Sequence, residues 1–300
     1  MNRVSLGLVA ASAAFVSACA AKDAKTDTTA AAQAGAPAPA AAPASKASFD
    51  PATHVAVVHA KEFAFDAPDS VTAGWTTFHF VNDGTMLHHA ALARLDSGKT
   101  LTDLETAMKA APNGPPPAWM VEVGGANAPD PGSSSDATFN LPAGNYVVLC
   151  FVDLPDHVPH FAKGMIRPLK VVASNAPAAP EPTGDATVTL SDYTFTVAGK
   201  LTPGKHTIKI VNAGSQHHEV EVARLAPGKT SKDLLAWIGK PEGPPPGNAI
   251  GGIAGAVPGT TSYVTVDLAA ADYAFICFLP DAKDGKPHFE HGMVKDFKVQ

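Results

Sequence analysis

The chain carries the same text twice. Phe80-Val81-Asn82-Asp83-Gly84 is answered by Ile210-Val211-Asn212-Ala213-Gly214, and each is followed by a histidine pair, His88-His89 and His217-His218. Ala93-Arg94-Leu95 and Gly98-Lys99-Thr100 return as Ala223-Arg224-Leu225 and Gly228-Lys229-Thr230. Gly114-Pro115-Pro116-Pro117 and Gly124-Gly125 return as Gly243-Pro244-Pro245-Pro246 and Gly251-Gly252. The series closes with Tyr146, Cys150, Pro159-His160-Phe161 and Gly164-Met165, matched by Tyr273, Cys277, Pro287-His288-Phe289 and Gly292-Met293. So many matches in one order mark an internal duplication, with copies over 50–173 and 184–300. Whatever one copy folds into, the other must fold into as well. A length of 300 residues suits two such units, and 45% apolar residues supply a core for both.

Each copy reads mostly as short strands. His54 to Val58, Thr76 to Val81, Ala186 to Leu190 and His206 to Val211 alternate with period two between Gly, Pro, Asn and Asp. One helix interrupts each copy, over Thr102 to Ala110 and over Ser231 to Ile238, beside a Ser/Thr cap. Short strands at this spacing predict an all-β protein of two tandem Greek-key sandwiches, each with one short helical insertion.

The segments outside the copies hold much of the 27 Pro and the small residues. Residues 1–18 have a positive start at Arg3, an apolar run from Val4 to Val16 and small residues before Cys19, which is the anatomy of a secretory signal peptide. The Val16-Ser17-Ala18-Cys19 ending resembles the bacterial lipobox, which implies cleavage before Cys19 and lipid on it. Residues 19–49, rich in Ala and Pro, then read as a tether reaching roughly 30 Å as a coil and about 90 Å extended. Residues 174–183 share that composition and read as a linker. The chain is thus expected on the outer side of a bacterial membrane, periplasmic or at the cell surface, with the membrane as a partner through Cys19. A net charge of −6 offers no basic surplus for phosphates, so nucleic-acid partners are excluded.

The chemistry lies at the end of each copy. A cysteine, a histidine and a methionine follow in the order Cys150, His160, Met165, and again Cys277, His288, Met293, with four residues between His and Met both times. Each copy adds an upstream histidine after its Asn-x-Gly turn. A thiolate, two imidazoles and a thioether form the ligand set of a blue copper site, which suits both Cu(I) and Cu(II). Taken singly, Cys150, Cys277, Met165 and Met293 are the kinds of side chain that fill cores; their recurrence in one order points to metal.

Counting from the glycine and from the arginine makes His88 equivalent to His218 and His89 equivalent to Glu219. Val220 and Val222 share the period-two face of His218, so His218 points inward and, by equivalence, His88 is the ligand with His89 facing outward. His291 and His157 lack a counterpart in the other copy. These features resemble the cupredoxins, the plastocyanin- and azurin-like proteins: the Asn-x-Gly turn before the first His, the strand from Gly144 through Tyr146 to Cys150, and the Cys…His…Met loop running into a last strand. In the second copy Ala271 stands where the glycine would be, and the Cys-to-His loops, with nine and ten intervening residues, are longer than in plastocyanin and nearer those of copper nitrite reductases.

The resemblance implies one type 1-like copper per copy, held by His88, Cys150, His160 and Met165 and by His218, Cys277, His288 and Met293, with Phe151, Phe161, Phe278 and Phe289 lowering the dielectric around them. One-electron transfer to a redox partner follows from such sites. A copper carrier or store serving a copper-handling partner shares every ligand, and a metal-free binding or scaffold module is the third reading. Related oxidases and reductases place a His beside the ligand cysteine and use His-x-His pairs; here the neighbours are Leu149-Cys150-Phe151 and Ile276-Cys277-Phe278, and the chain has no His-x-His. On that ground the chain is expected not to be an enzyme.

Overall fold

The computed structural model describes residues 46–111, 116–175 and 177–300. The signal segment, Cys19, most of the tether, and Gly114 and Pro115 lie outside the described residues. In the first copy the strands are β1 (Ser48–Asp50), β2 (Val55–Lys61), β3 (Ala64–Asp66), β4 (Ser70–Thr72), β5 (Gly74–Asn82), β6 (Ala90–Leu95), β7 (Met120–Ala126), β8 (Ser134–Leu141), β9 (Gly144–Leu149) and β10 (Ile166–Val172), with helix α1 (Leu101–Ala110) between β6 and β7. The second copy has β11 (Ala186–Ser191), β12 (Thr194–Ala198), β13 (Gly204–Asn212), β14 (His218–Leu225), β15 (Gly247–Ala256), β16 (Thr261–Leu268), β17 (Ala271–Ile276) and β18 (Val294–Val299), with α2 (Ser231–Gly239) after β14. The architecture is all-β, as the strand periodicity predicts. Among the described residues no helix is long and apolar enough to cross a membrane.

Each helix starts at a capping box. Thr100 and Thr230 accept the backbone N–H of Asp103 and Asp233, whose carboxylates reach back to the caps. The helices pack on the outer face of the second layer: Leu104 meets Ala91, Ala93, Val147 and Leu149, and Leu234 meets Ala223, Ala274 and Ile276. β6 and β9 are therefore buried on both faces, which is why Ala90 to Ala93 and Tyr146 to Leu149 read as continuous apolar runs. β5 and β13 bury one face only, and they alternate. Tyr146 and Tyr273 close the corner before each site by donating their hydroxyls to Pro142 and Ala269 carbonyls at 2.9 and 3.0 Å. Phe49, on β1, packs against the core, so strand structure begins within the last residues assigned to the tether.

The two layers do not stop where the repeat does. One sheet runs β1-β2-β5-β8-β16-β13-β11-β12 and the other β18-β17-β14-β15-β7-β6-β9-β10-β4. Both cross from one copy to the other, through antiparallel pairing of β8 with β16 and of β7 with β15. The strands that meet are equivalents. Ala137 pairs with Val264, each nine residues before the tyrosine of its copy, and Ala126 pairs with Ile253, each directly after a Gly-Gly. A local two-fold axis therefore passes through both pairs.

Candidate metal centres

The Asn-x-Gly turn builds the first wall of each site. Asn82 Nδ2 donates to the carbonyls of Met86 and Pro129 at 2.8 and 3.0 Å, while its Oδ1 accepts the Gly84 N–H. Asn212 repeats this with Gln216, Ala256 and Gly214. The loop thus folds over the side chain of its own asparagine and delivers His88 or His218 into the interior. Gly84 and Gly214 are needed for close approach: a Cβ there would lie 2.7 Å from His88 Nε2 and 2.5 Å from His218 Nε2. Gly84→Ala or Gly214→Ala is expected to displace the ring and weaken Cu(II) binding at that copy by roughly 10–100-fold, read by titration of the metal-free protein. Unchanged affinity would show that the ring does not hold metal.

The second wall is the mouth of the last hairpin. Cys150 follows β9 and Met165 precedes β10; Cys150 N donates to Met165 O at 3.1 Å, Met165 N to His160 O at 3.1 Å and Phe161 N to Cys150 O at 2.9 Å. A 3-10 turn over His160–Lys163 carries the second histidine back across the cysteine. The second copy repeats each bond among Cys277, His288, Phe289 and Met293, with its turn at His288–His291. Backbone bonding therefore fixes Cys, His and Met relative to one another before any ion is considered.

The structure brings His88, Cys150 and His160 together, and His218, Cys277 and His288. In each copy the two Nδ1 atoms are 3.1 Å apart, and the sulfur lies 3.5 Å from His160 Nδ1 or 3.3 Å from His288 Nδ1. All six side chains, with Met165 and Met293, are at most 1% exposed. Both cysteines are free. Two nitrogens at that spacing can both reach one ion at the bond length of about 2.0–2.1 Å usual for imidazole. Burial depresses the pKa of all four histidines, keeping them neutral, and pushes the Cys150 thiol up to about 11. Cys277 is raised further, by burial and by the neighbouring Glu219. Without a cation the thiols stay protonated, so loading must release a proton from each. The donor set fits a soft-to-borderline metal ion.

Other histidines stand elsewhere. His217 is half exposed, 3.7 Å from Glu122. His291 pairs with Asp284 at 3.2 Å and lies against Tyr193. His157 is exposed in its loop. His89 does not face outward as its alternation suggests. Its Nε2 accepts the Phe151 N–H at 2.7 Å, and burial lowers its pKa to about 4. Glu219 plays the same part in the second copy, accepting the Phe278 N–H at 2.8 Å, and is only 5% exposed. Its carboxyl is pushed up to about 7 by burial. An unfolded chain ionises that group near 4.5, so the native state loses stability as pH rises from 4.5 through 7. Glu219→Gln is therefore expected to stabilise the metal-free protein by about 3 kcal/mol at about pH 8 and hardly at all below the unfolded pKa, measured by urea unfolding.

Two carboxylates that no motif announces complete the sites. Asp192 Oδ1 lies 2.9 Å from His218 Nε2, and Glu62 Oε1 lies 3.8 Å from His88 Nε2. Each is anchored by the N–H and hydroxyl of the residue after the turn glycine, Ser215 or Thr85, and those donors hold both carboxyls down to about 2. They sit on the tight turns that leave β11 and β2, far in sequence from the histidines they orient.

No family model matches the chain, and no curated protein does. Among solved structures it is similar to auracyanin from Roseiflexus castenholzii, at 23% identity over 39% of this chain and 95% of that one with a TM-score of 0.28. It is also similar to a copper nitrite reductase from Nitrosomonas europaea (16% identity, 82% of this chain, 93% of that one, TM-score 0.25) and to a multicopper oxidase (15%, 85%, 93%, 0.25). Likeness of this degree assigns no activity. The chain is all-β, in two repeated copies that each carry one short helix, in agreement with the order of motifs along it. The exclusion of an enzyme is corrected. The solved structures to which the chain is similar include an oxidase and a nitrite reductase, and the expectation that it is not an enzyme does not stand.

Proposed function

We propose that this chain binds one copper ion in each copy and transfers single electrons. His88, Cys150 and His160, and likewise His218, Cys277 and His288, would hold the ion, with Met165 and Met293 as weaker donors. The observation that carries this reading is the convergence, twice over, of two imidazole Nδ1 atoms and one thiol in a pocket closed to water. Bound copper supplies a one-electron couple. The chain holds the histidines by backbone and carboxylate, so little needs to move when the charge changes. Phe151 packs against Phe161 and Phe278 against Phe289 beside the cysteines in sequence, each pair 5.5 Å between ring centres.

Full burial of every ligand favours electron transfer over copper carriage, because a carrier needs a ligand exposed for exchange with its partner. The lipobox-like run at Cys19 supports export and tethering to a membrane, where a redox protein would be the partner; mass spectrometry of the N-terminal peptide reads the lipid directly. The test of function is a copper count and a visible spectrum of the purified chain after Cu(II) addition. Two coppers per chain, strong absorption near about 600 nm as expected for copper–thiolate bonding, and a reversible couple are expected. Colourless protein without bound metal overturns the proposal.

A further inference from the structure

The two copies share their ligands but not the residues around them. In the second copy Asp192 bonds His218 directly, and Asp281 Oδ2 lies 3.9 Å from His288 Nε2. Asp281 is buried and is kept ionised by the Tyr193 hydroxyl, the Gln216 amide and the backbone N–H of Lys283. The equivalents in the first copy are apolar: Phe63 for Tyr193, Met86 for Gln216 and Leu154 for Asp281. The carboxylates that face the first centre are Glu62, 3.8 Å from His88 Nε2 and about a third exposed, and Asp153, exposed in the loop. Exposed charges are screened by water and salt, whereas buried ones are not. A buried anion beside a metal centre stabilises its more positive, oxidised state.

The centres also have a physical connection across the seam between the copies. His89 accepts the N–H of the residue after Cys150, and Glu219 accepts the N–H of the residue after Cys277. Asn127, 4% exposed, stands between them: its Nδ2 donates to Glu219 Oε2 at 3.5 Å, and its side chain acts on the His89 ring, favouring the protonated imidazole. Covalent and hydrogen-bonded atoms therefore run from Cys277 through Phe278 and Glu219 to Asn127, and from Cys150 through Phe151 to His89, with Asn127 close enough to act on that ring.

Resting on the copper reading, we propose that the two centres are an unequal pair, in which an electron passes from the His218/Cys277/His288 centre through Asn127 and comes to rest on the His88/Cys150/His160 centre. The step oxidises the second centre from Cu(I) to Cu(II) and reduces the first from Cu(II) to Cu(I). No bond forms or breaks and no proton moves, because each cysteine stays a thiolate in both states.

Single-centre proteins test the inequality. Cys277→Ala leaves the first centre and Cys150→Ala leaves the second; each is loaded with Cu(II) and its potential read by redox titration. The first centre is expected to hold an electron at least tenfold more strongly, which is about 59 mV for one electron. Asp281→Asn is expected to narrow that gap most, since its side chain is buried, and Asp192→Asn, at 2.9 Å from its imidazole, to shift its centre more than Glu62→Gln, at 3.8 Å, shifts the first. Equal potentials, or a higher one at the second centre, overturn the proposal. In the two-centre protein, Asn127→Leu is expected to slow re-equilibration after a one-electron pulse at least tenfold without moving either potential, and an unchanged rate overturns the Asn127 route. Asn127→Ala, which introduces no new bulk, is the second variant if leucine prevents folding. A wild-type chain that binds no copper defeats the functional reading itself; one that loads both sites with equal potentials defeats only this inference.

Discussion

Changing Cys150 and Cys277 together to alanine is expected to abolish the visible band of the copper-loaded protein, and each single change to remove about half of it. The band requires a copper–thiolate bond, and these two sulfurs are the ones that meet paired Nδ1 atoms among the described residues. Loss of the sulfur leaves two neutral imidazoles that still bind metal weakly, so the variant should take up Cu(II) without colour. Alanine removes one buried sulfur from a packed hairpin mouth, a change the backbone bonds of Cys150 N and Cys277 N survive because they involve no side chain. Far-UV circular dichroism should therefore stay as in the parent chain. A band that persists in the double variant would mean that the colour arises elsewhere.

Copper should also raise the melting temperature, and by a large amount. An ion that binds the native state and not the unfolded chain stabilises by mass action, about 4 kcal/mol per site when free ligand exceeds Kd a thousandfold. In a folded body of this size each kcal/mol is worth roughly 2–4 °C, so one loaded site should add roughly 8–16 °C. The Cys150→Ala, Cys277→Ala protein should show little of this shift. An unchanged melting temperature in the parent chain on addition of Cu(II) would favour the metal-free binding module instead.

Much of this was legible in the sequence because the chain repeats itself. A single Cys, His or Met is ambiguous, but Cys150-His160-Met165 and Cys277-His288-Met293 in one order constrain each other, and the shared count from glycine and arginine separates His88 from His89. Strand positions followed from period-two alternation, and the helices began within a residue of their caps because Thr100 and Thr230 terminate the extended chain. Other features left no local signal. Alternation says which residues share a face but not what lies against the other face, so the burial of Glu219 and Glu221, with Asn127 of the other copy bonded to Glu219, left no local signal. Glu62 and Asp192 act on histidines 26 residues downstream, through a turn geometry that no spacing encodes.

The pairing of Ala137 with Val264 and of Ala126 with Ile253 bears on how such a chain arose. A surface patch that meets its own equivalent across a two-fold axis is the geometry by which identical separate subunits associate. One copy alone would have an open strand edge at β7 and β8, and the edge that satisfies it is the same edge on another copy. The molecule is in this sense a homodimer whose subunits share one backbone. Halves joined in one chain need not be identical to each other, and these differ where it matters to the sites: Asp281 stands where the first copy has Leu154, and Glu219 where it has His89.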